Sequence, residues 1–206
     1  MRRGDEVQVL PVASLPEYFR DALQGALAHQ HVAVDDQTEQ YVVNLLTLFA
    51  RSEQLFEQTA EGVRLRPAAH MLAGALEAPS APERERKLQR LGDVSLFVAG
   101  FLAHGFARKL VDVDYHVAMG GRAYGTLAQS LASGRRRVLA QVFAELAAKF
   151  QPLVDALWEI SDSARIYSQH DVLRLYEIWL KTGSGRARRL LGELGVGAAP
   201  VPLHTH

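Results

Sequence analysis

No cysteine occurs among the 206 residues of this chain. Without thiols the chain has neither disulfide bridges nor thiolate chemistry, and any metal site has to be built from histidine, aspartate or glutamate. The sequence also lacks an excess of either charge, since 23 lysines and arginines balance 23 aspartates and glutamates. Nucleic-acid-binding domains usually carry a basic excess, so this composition argues against a nucleic-acid partner.

Long apolar runs are missing as well. The longest mostly apolar stretch, residues 94–103, has about half of the roughly 20 residues that a membrane-spanning helix needs. The first residues include arginines but no continuous apolar segment, so we do not expect them to act as a secretory signal. We therefore expect a soluble cytoplasmic protein without a membrane span.

Alternation with period two, the pattern of a half-buried strand, is nowhere long enough to predict one. Apolar residues recur instead at helical spacing almost throughout the chain, most regularly from Val138 to Leu157. We predict an all-α fold, a single compact domain of about seven to eight helices over residues 14–195. Residues 1–13 are predicted to form an N-terminal extension, and residues 196–206 a disordered tail.

Several local patterns predict where helices begin or break. Ser14 and Ser80 are each followed by a glutamate three residues later, the pattern of a capping box. Asp35 and Asp36 are suited to cap a second helix, and Pro67 to open a third. Pro152 is predicted to kink the helix in which it lies, or to mark the point where that helix restarts.

The most constrained part of the sequence is segment 91–131, which is apolar on nearly every side and rich in glycine. We predict that it forms a buried, glycine-rich central helical hairpin. Gly100 and Gly105 lie in its first helix, and Gly120, Gly121 and Gly125 in the next. Each glycine inside a helix costs about 1 kcal/mol relative to alanine, so several together indicate close approach to the backbone. We favour tight helix crossing over the alternative of a flat ligand, such as haem, against the helix.

Two histidines flank the turn of this hairpin. His104 and His116, together with Asp112 or Asp114, would form a mixed histidine and carboxylate site suited to zinc, iron or manganese. A neutral histidine is also a haem ligand. The remaining residues expected to line this pocket, between helices 91–110 and 114–131, are Tyr115, Tyr124 and Arg108. The simpler interpretation has no cofactor: the histidines belong to the core and the aspartates cap a helix.

Two arginine clusters lie where helices begin. They are Arg135, Arg136 and Arg137, and, after a Gly-Ser-Gly turn, Arg186, Arg188 and Arg189. Positive charge at a helix N-terminus is unfavourable unless an anion is close, so each cluster is a candidate phosphate or carboxylate site. The alternative, which we favour, is a solvated basic face paired with Glu145, Glu177 or Glu193.

No catalytic motif is present: there is no nucleophile elbow, HExxH zinc motif, dinucleotide-binding glycine pattern or kinase signature. In helix number and in its glycine-bearing central helix, the chain is loosely similar to haem-oxygenase-like domains. That resemblance is one of architecture, and it implies a haem-, metal- or small-ligand-binding protein, an oxidoreductase among them. The function that we favour is non-enzymatic: an adaptor or regulator that binds another protein, with a homodimer as the default oligomer.

Overall fold

Helices account for most of the structure, a computed structural model that describes residues 14–50, 56–59, 62–102, 112–132, 136–162, 176 and 178–193. The helices are α1 (Leu15–His29), α2 (Asp36–Ala50), α3 (Ala68–Leu76), α4 (Ala81–Phe97), α5 (Val113–Ala132), α6 (Arg137–Ala148), α7 (Phe150–Ser161) and α8 (Gly185–Glu193). A π-helical turn, Val98–Leu102, extends α4, and residues 178–182 are also helical. The predicted all-α, single-domain fold is confirmed. The predicted N-terminal extension, the C-terminal tail and the turn of the hairpin at 103–111 lie outside the described residues.

The predicted helix starts have the expected hydrogen bonds. Ser14 Oγ accepts from the backbone N–H of Glu17 at 3.2 Å, and Ser80 Oγ accepts from that of Glu83 at 3.4 Å. Asp35 precedes α2, and its Oδ1 accepts from the backbone N–H of Gln37 at 3.0 Å. Each side chain satisfies a donor that the first helical turn leaves unpaired.

One element differs from the expectation that no strand would occur. Strands β1 (Phe56–Thr59) and β2 (Gly62–Leu65) form an antiparallel hairpin in which Phe56 pairs with Leu65 and Thr59 with Gly62. Each strand has four residues, which is at the lower limit of the length over which alternation can be recognised.

The long apolar stripe predicted from Val138 to Leu157 is divided between two helices. The helix is interrupted at Lys149, and α7 begins at the next residue. Pro152 therefore lies in the first turn of α7, where a backbone N–H would have no intrahelical partner. The prediction that Pro152 marks a restart is therefore confirmed. The first two residues of the stripe do not lie in the core, because Val138 is 57% and Leu139 is 36% exposed.

The core forms around α5, which packs against α4 on one side and α6 on the other. The π-helical turn packs on α7, which also contacts α1. Large side chains that are completely or almost completely buried fill the space between these helices: Leu96, Tyr124, Phe143, Leu157 and Trp158. Within the described residues, no helix is both long and apolar enough to cross a membrane.

Three glycines let large side chains approach the central helices. A Cβ atom on Gly92 would overlap the ring of Tyr124, and one on Gly120 would overlap the ring of Phe150. A Cβ atom on Gly100 would lie only 2.6 Å from Cβ of Leu157. Side chains of the protein therefore occupy the space beside these glycines, as close packing requires.

The two glycines of the Gly121-x-x-x-Gly125 spacing have more room. The nearest atom to a Cβ built on either of them lies 3.8 Å away, which is ordinary van der Waals contact. The tight contacts thus fall at Gly120 rather than at the spaced pair, because Gly120 lies on the buried side of α5.

This difference predicts opposite effects for two adjacent substitutions. Gly120→Ala should lower the free energy of unfolding by about 1–3 kcal/mol, because the added methyl group overlaps a buried aromatic ring. Gly121→Ala, the matched control, should leave it unchanged or raise it by up to about 1 kcal/mol through helix propensity. Urea unfolding of both variants measures the difference; equal effects would contradict the assigned packing.

Candidate functional site

The main polar cluster inside the helical core joins three helices at one carboxylate. The hydroxyl groups of Tyr41 on α2 and Tyr124 on α5 both donate to Oδ1 of Asp93 on α4, at 2.6 and 2.7 Å. Gln89, one turn before Asp93 on α4, donates from Nε2 to the Tyr41 hydroxyl at 2.9 Å. Because Tyr124 is completely buried and stacks on Phe143, the cluster belongs to the core rather than to an open pocket.

Burial controls the protonation of this cluster. It raises the pKa of Asp93 to about 6, although the hydrogen bonds from both tyrosines and the charge of Arg90 oppose that shift. Burial, followed by the charge of Asp93, raises the pKa of both tyrosines, so their hydroxyls remain protonated donors. From the sequence, Tyr124 is predicted to line a ligand pocket, and neither Asp93 nor Tyr41 is singled out. The available signal was the polar pair Gln89 and Asp93, four residues apart where the helix becomes apolar.

The raised pKa of Asp93 predicts how stability depends on pH. Since the folded pKa of about 6 exceeds the ordinary value of 3.8, this carboxyl group favours folding most at low pH, and that contribution is lost as the pH rises through 6. Relative to Asp93→Asn, the wild-type protein should therefore lose about 2 kcal/mol of unfolding free energy between pH 4.5 and 7.5.

Urea unfolding across this pH range measures the difference between the two proteins. Asp21→Asn, a change of equal charge at an exposed position of α1, is the control and should follow the wild type. A constant difference between wild type and Asp93→Asn at every pH would refute the assignment.

The turn predicted to hold a metal is only partly described. His116 lies in the first turns of α5, and its Nδ1 atom is buried without a hydrogen-bond partner in the described structure. Burial lowers the pKa of His116, which favours the neutral imidazole. A hydrogen bond with Asp112 is the main cause that lowers the pKa of Asp114, which also lies 3.8 Å from Nζ of Lys181. Tyr115 is 38% exposed beside them.

The other half of that predicted site, His104 and Arg108, lies outside the described residues. In the part of the chain that the structure describes, no three histidine, aspartate or glutamate side chains converge on a point where a metal ion could bind. Metal and haem binding by these residues therefore remain predictions.

The first arginine cluster contacts a carboxylate of its own chain. Arg136 donates to Oε2 of Glu85 on α4 at 2.6 Å, and Ser130 on α5 donates to Oε1 at 2.9 Å. Burial of Glu85 favours its neutral form, but these two hydrogen bonds together with the charge of Arg136 more than compensate and lower its pKa. Arg137 is exposed, and Arg135 lies outside the described residues.

The second cluster surrounds a helix start that already holds an anionic group. Oδ2 of Asp155, on α7, accepts from the backbone N–H of Arg186 at 3.1 Å, and Oδ1 accepts from Ser184 Oγ at 2.6 Å. Burial raises the pKa of Asp155. The Arg186 side chain donates to Glu159 at 3.1 Å and lies 3.5 Å from Asp162. Of the three acidic partners predicted from the sequence, Glu145 binds Thr38 and Lys149 instead, and Glu177 and the side chain of Glu193 lie outside the described residues.

The remaining arginines of that cluster, Arg188 and Arg189, are exposed. Glu159 also binds the end of α1, where Nδ1 of His29 lies 2.8 Å and Nε2 of Gln30 lies 3.2 Å from its carboxylate oxygens. This junction has no local pattern in the sequence, because its partners are separated by about 130 residues.

Two surface grooves are large enough to receive a ligand or a partner side chain. The α2–α6 groove has a volume of about 410 Å³ and is lined by Asp35, Gln37, Thr38, Val138, Gln141, Val142 and Glu145. The α4–α5 groove has a volume of about 460 Å³ and lies between those two helices, next to the connection from α3 to α4. Neither groove contains the residues that the sequence analysis proposed for metal or haem.

Comparisons with protein-family models, with curated proteins and with solved structures found no match to this chain. Inferences about its function therefore depend on the geometry described above.

Proposed function

We propose that this protein is a non-enzymatic adaptor or regulator and that it binds another protein at the α2–α6 groove. The observation that carries this proposal is the exposure of two adjacent apolar side chains at the start of α6, Val138 at 57% and Leu139 at 36%. Val138 lines the groove, which places exposed apolar surface next to a polar rim. Such a combination is typical of protein–protein contact surfaces.

The wall of the groove is held rigidly. Glu145 on α6 accepts from the backbone N–H of Asp35 at 3.1 Å, from Thr38 Oγ1 at 2.5 Å and from Lys149 Nζ at 2.6 Å. These bonds connect α6 to the start of α2 and occupy the carboxylate that would otherwise be a candidate acid or base. A rigid wall with its carboxylate engaged suits recognition better than catalysis.

The shape of the groove favours a helical segment as the bound element. Val138, Gln141, Val142 and Glu145 are spaced as neighbours on one face of α6, and the start of α2 forms the opposite wall. A partner helix would place an apolar side chain against Val138 and make hydrogen bonds with Gln141 or Gln37. The cytoplasmic location expected from the sequence belongs to this proposal, as does self-association as an alternative to a different partner.

Two aspartate substitutions at similarly exposed positions test whether the partner binds at the α2–α6 groove. Chemical cross-linking in the native cell followed by mass spectrometry identifies the partner, and sedimentation of the purified protein detects self-association. Val138→Asp should weaken binding by about tenfold or more, because a charge would be buried at an apolar contact. Leu48→Asp, at a position 52% exposed on α2 and outside the groove, should change binding by less than about twofold.

A strictly monomeric protein from which no partner is recovered would overturn the proposal, and so would a partner whose affinity is the same for both variants. Absorbance spectra and metal analysis of untagged protein examine the rival function. A Soret band or a stoichiometric metal that is lost in His116→Ala would favour the cofactor-binding alternative instead.

A further inference from the structure

The α4–α5 groove is formed by matching faces of two helices. On α4 its wall consists of residues spaced by three and four, and on α5 of a second set with the same spacing. These are Ala81, Arg84, Glu85 and Leu88 on α4, and Thr126, Gln129 and Ser130 on α5. The remaining wall consists of Leu76, the last residue of α3, and of residues 78–80 in the connection to α4. The volume of about 460 Å³ lies within the range of small-molecule sites, about 300–1,000 Å³.

Two acidic side chains in and beside this groove are paired, which leaves Arg84 as a positive charge that no neighbour among the described residues neutralises. Glu85, only 9% exposed, is paired with Arg136 at 2.6 Å, and the neighbouring Glu83 is paired with Lys87 at 2.8 Å. Among the described residues that line the groove, Arg84 is the charged side chain for which the structure has no ion pair. A planar guanidinium group that is not paired matches a carboxylate or phosphate group in both charge and geometry.

Neutral groups complete the lining. The Thr126 hydroxyl and the Gln129 amide supply hydrogen-bond donors along α5, whereas the O–H of Ser130 already donates to Glu85. Apolar surface comes from Leu88 on α4, which is 4% exposed, and from Leu76 at the end of α3, which is 64% exposed. A ligand that uses both kinds of surface has an anionic end and a short apolar body.

We propose that the α4–α5 groove binds a small organic oxyanion, a carboxylate or a phosphate monoester, whose charged group contacts Arg84. The apolar body of the ligand contacts Leu88 and Leu76, and the side chains of Thr126 and Gln129 donate to the remaining oxygen atoms. Ser130 is already fixed by its 2.9 Å bond to Glu85, so this side of the groove is ordered before a ligand arrives. The site is separate from the α2–α6 groove.

Calorimetric titration of the full-length protein with hexanoate, phenyl phosphate and inorganic phosphate tests this site. Saturable binding of hexanoate or of phenyl phosphate is expected. The compound that binds more tightly shows whether the site prefers a carboxylate or a phosphate monoester. Arg84→Gln should weaken that binding by about tenfold or more, because a charge-assisted hydrogen bond is lost. Arg86→Gln removes the same charge from an exposed position on α4 outside the groove and should change it by less than about twofold.

A second pair of measurements checks the apolar contact. Leu76→Ser, at a strongly exposed position, should weaken binding of the organic anion while leaving any binding of inorganic phosphate unchanged. Val138→Asp should change neither the binding of the organic anion nor that of inorganic phosphate. This inference and the proposed function can therefore fail independently. The proposal is overturned if neither organic anion binds saturably, if Arg84→Gln and Arg86→Gln have equal effects, or if inorganic phosphate binds as tightly as the organic anions.

Discussion

Three helices of the core meet at a single carboxylate oxygen, Oδ1 of Asp93, and the central packing depends on that contact. The Tyr124 ring reaches Asp93 because the preceding residue, Gly92, has no side chain in its way. Tyr41 approaches from α2 and packs edge-on against Phe143, on which Tyr124 stacks. Burying a carboxyl group is costly, and two short hydrogen bonds reduce that cost while fixing the position of α4 relative to α2 and α5.

Farther from the centre, other carboxylates also join two helices, although their donors lie near helix starts. Glu85 connects α4 to the start of α6, Glu145 connects α6 to the start of α2, and Asp155 connects α7 to the start of α8. In each case a carboxylate on one helix accepts hydrogen bonds from groups at or next to the beginning of another, where unpaired N–H groups and the helix dipole favour negative charge. These acidic side chains therefore hold helices together, and both proposed binding sites lie in surface grooves beside them.

Local patterns in the sequence predicted where helices begin better than they predicted how those helices contact one another. The starts marked by Ser14, Ser80 and Asp35 and the restart near Pro152 were predictable because the residues that determine them are neighbours in the chain. The orientation of Val138 was not predictable, since an apolar residue at helical spacing can lie beyond the edge of the face that its helix buries. The hairpin was missed because its strands are too short to show alternation.

The sequence by itself determined the all-α fold class, the starts of several helices and two of the glycines, Gly100 and Gly120, beside which side chains pack closely. Only the tertiary structure decided that Asp93 binds two tyrosines, that Glu159 contacts His29 across the chain, and that Val138 and Arg84 lie in grooves. The physical reason is that periodicity and capping depend on residues within one or two helical turns. A hydrogen-bond partner or a groove depends on how distant helices pack, and such contacts leave no regular spacing in the sequence.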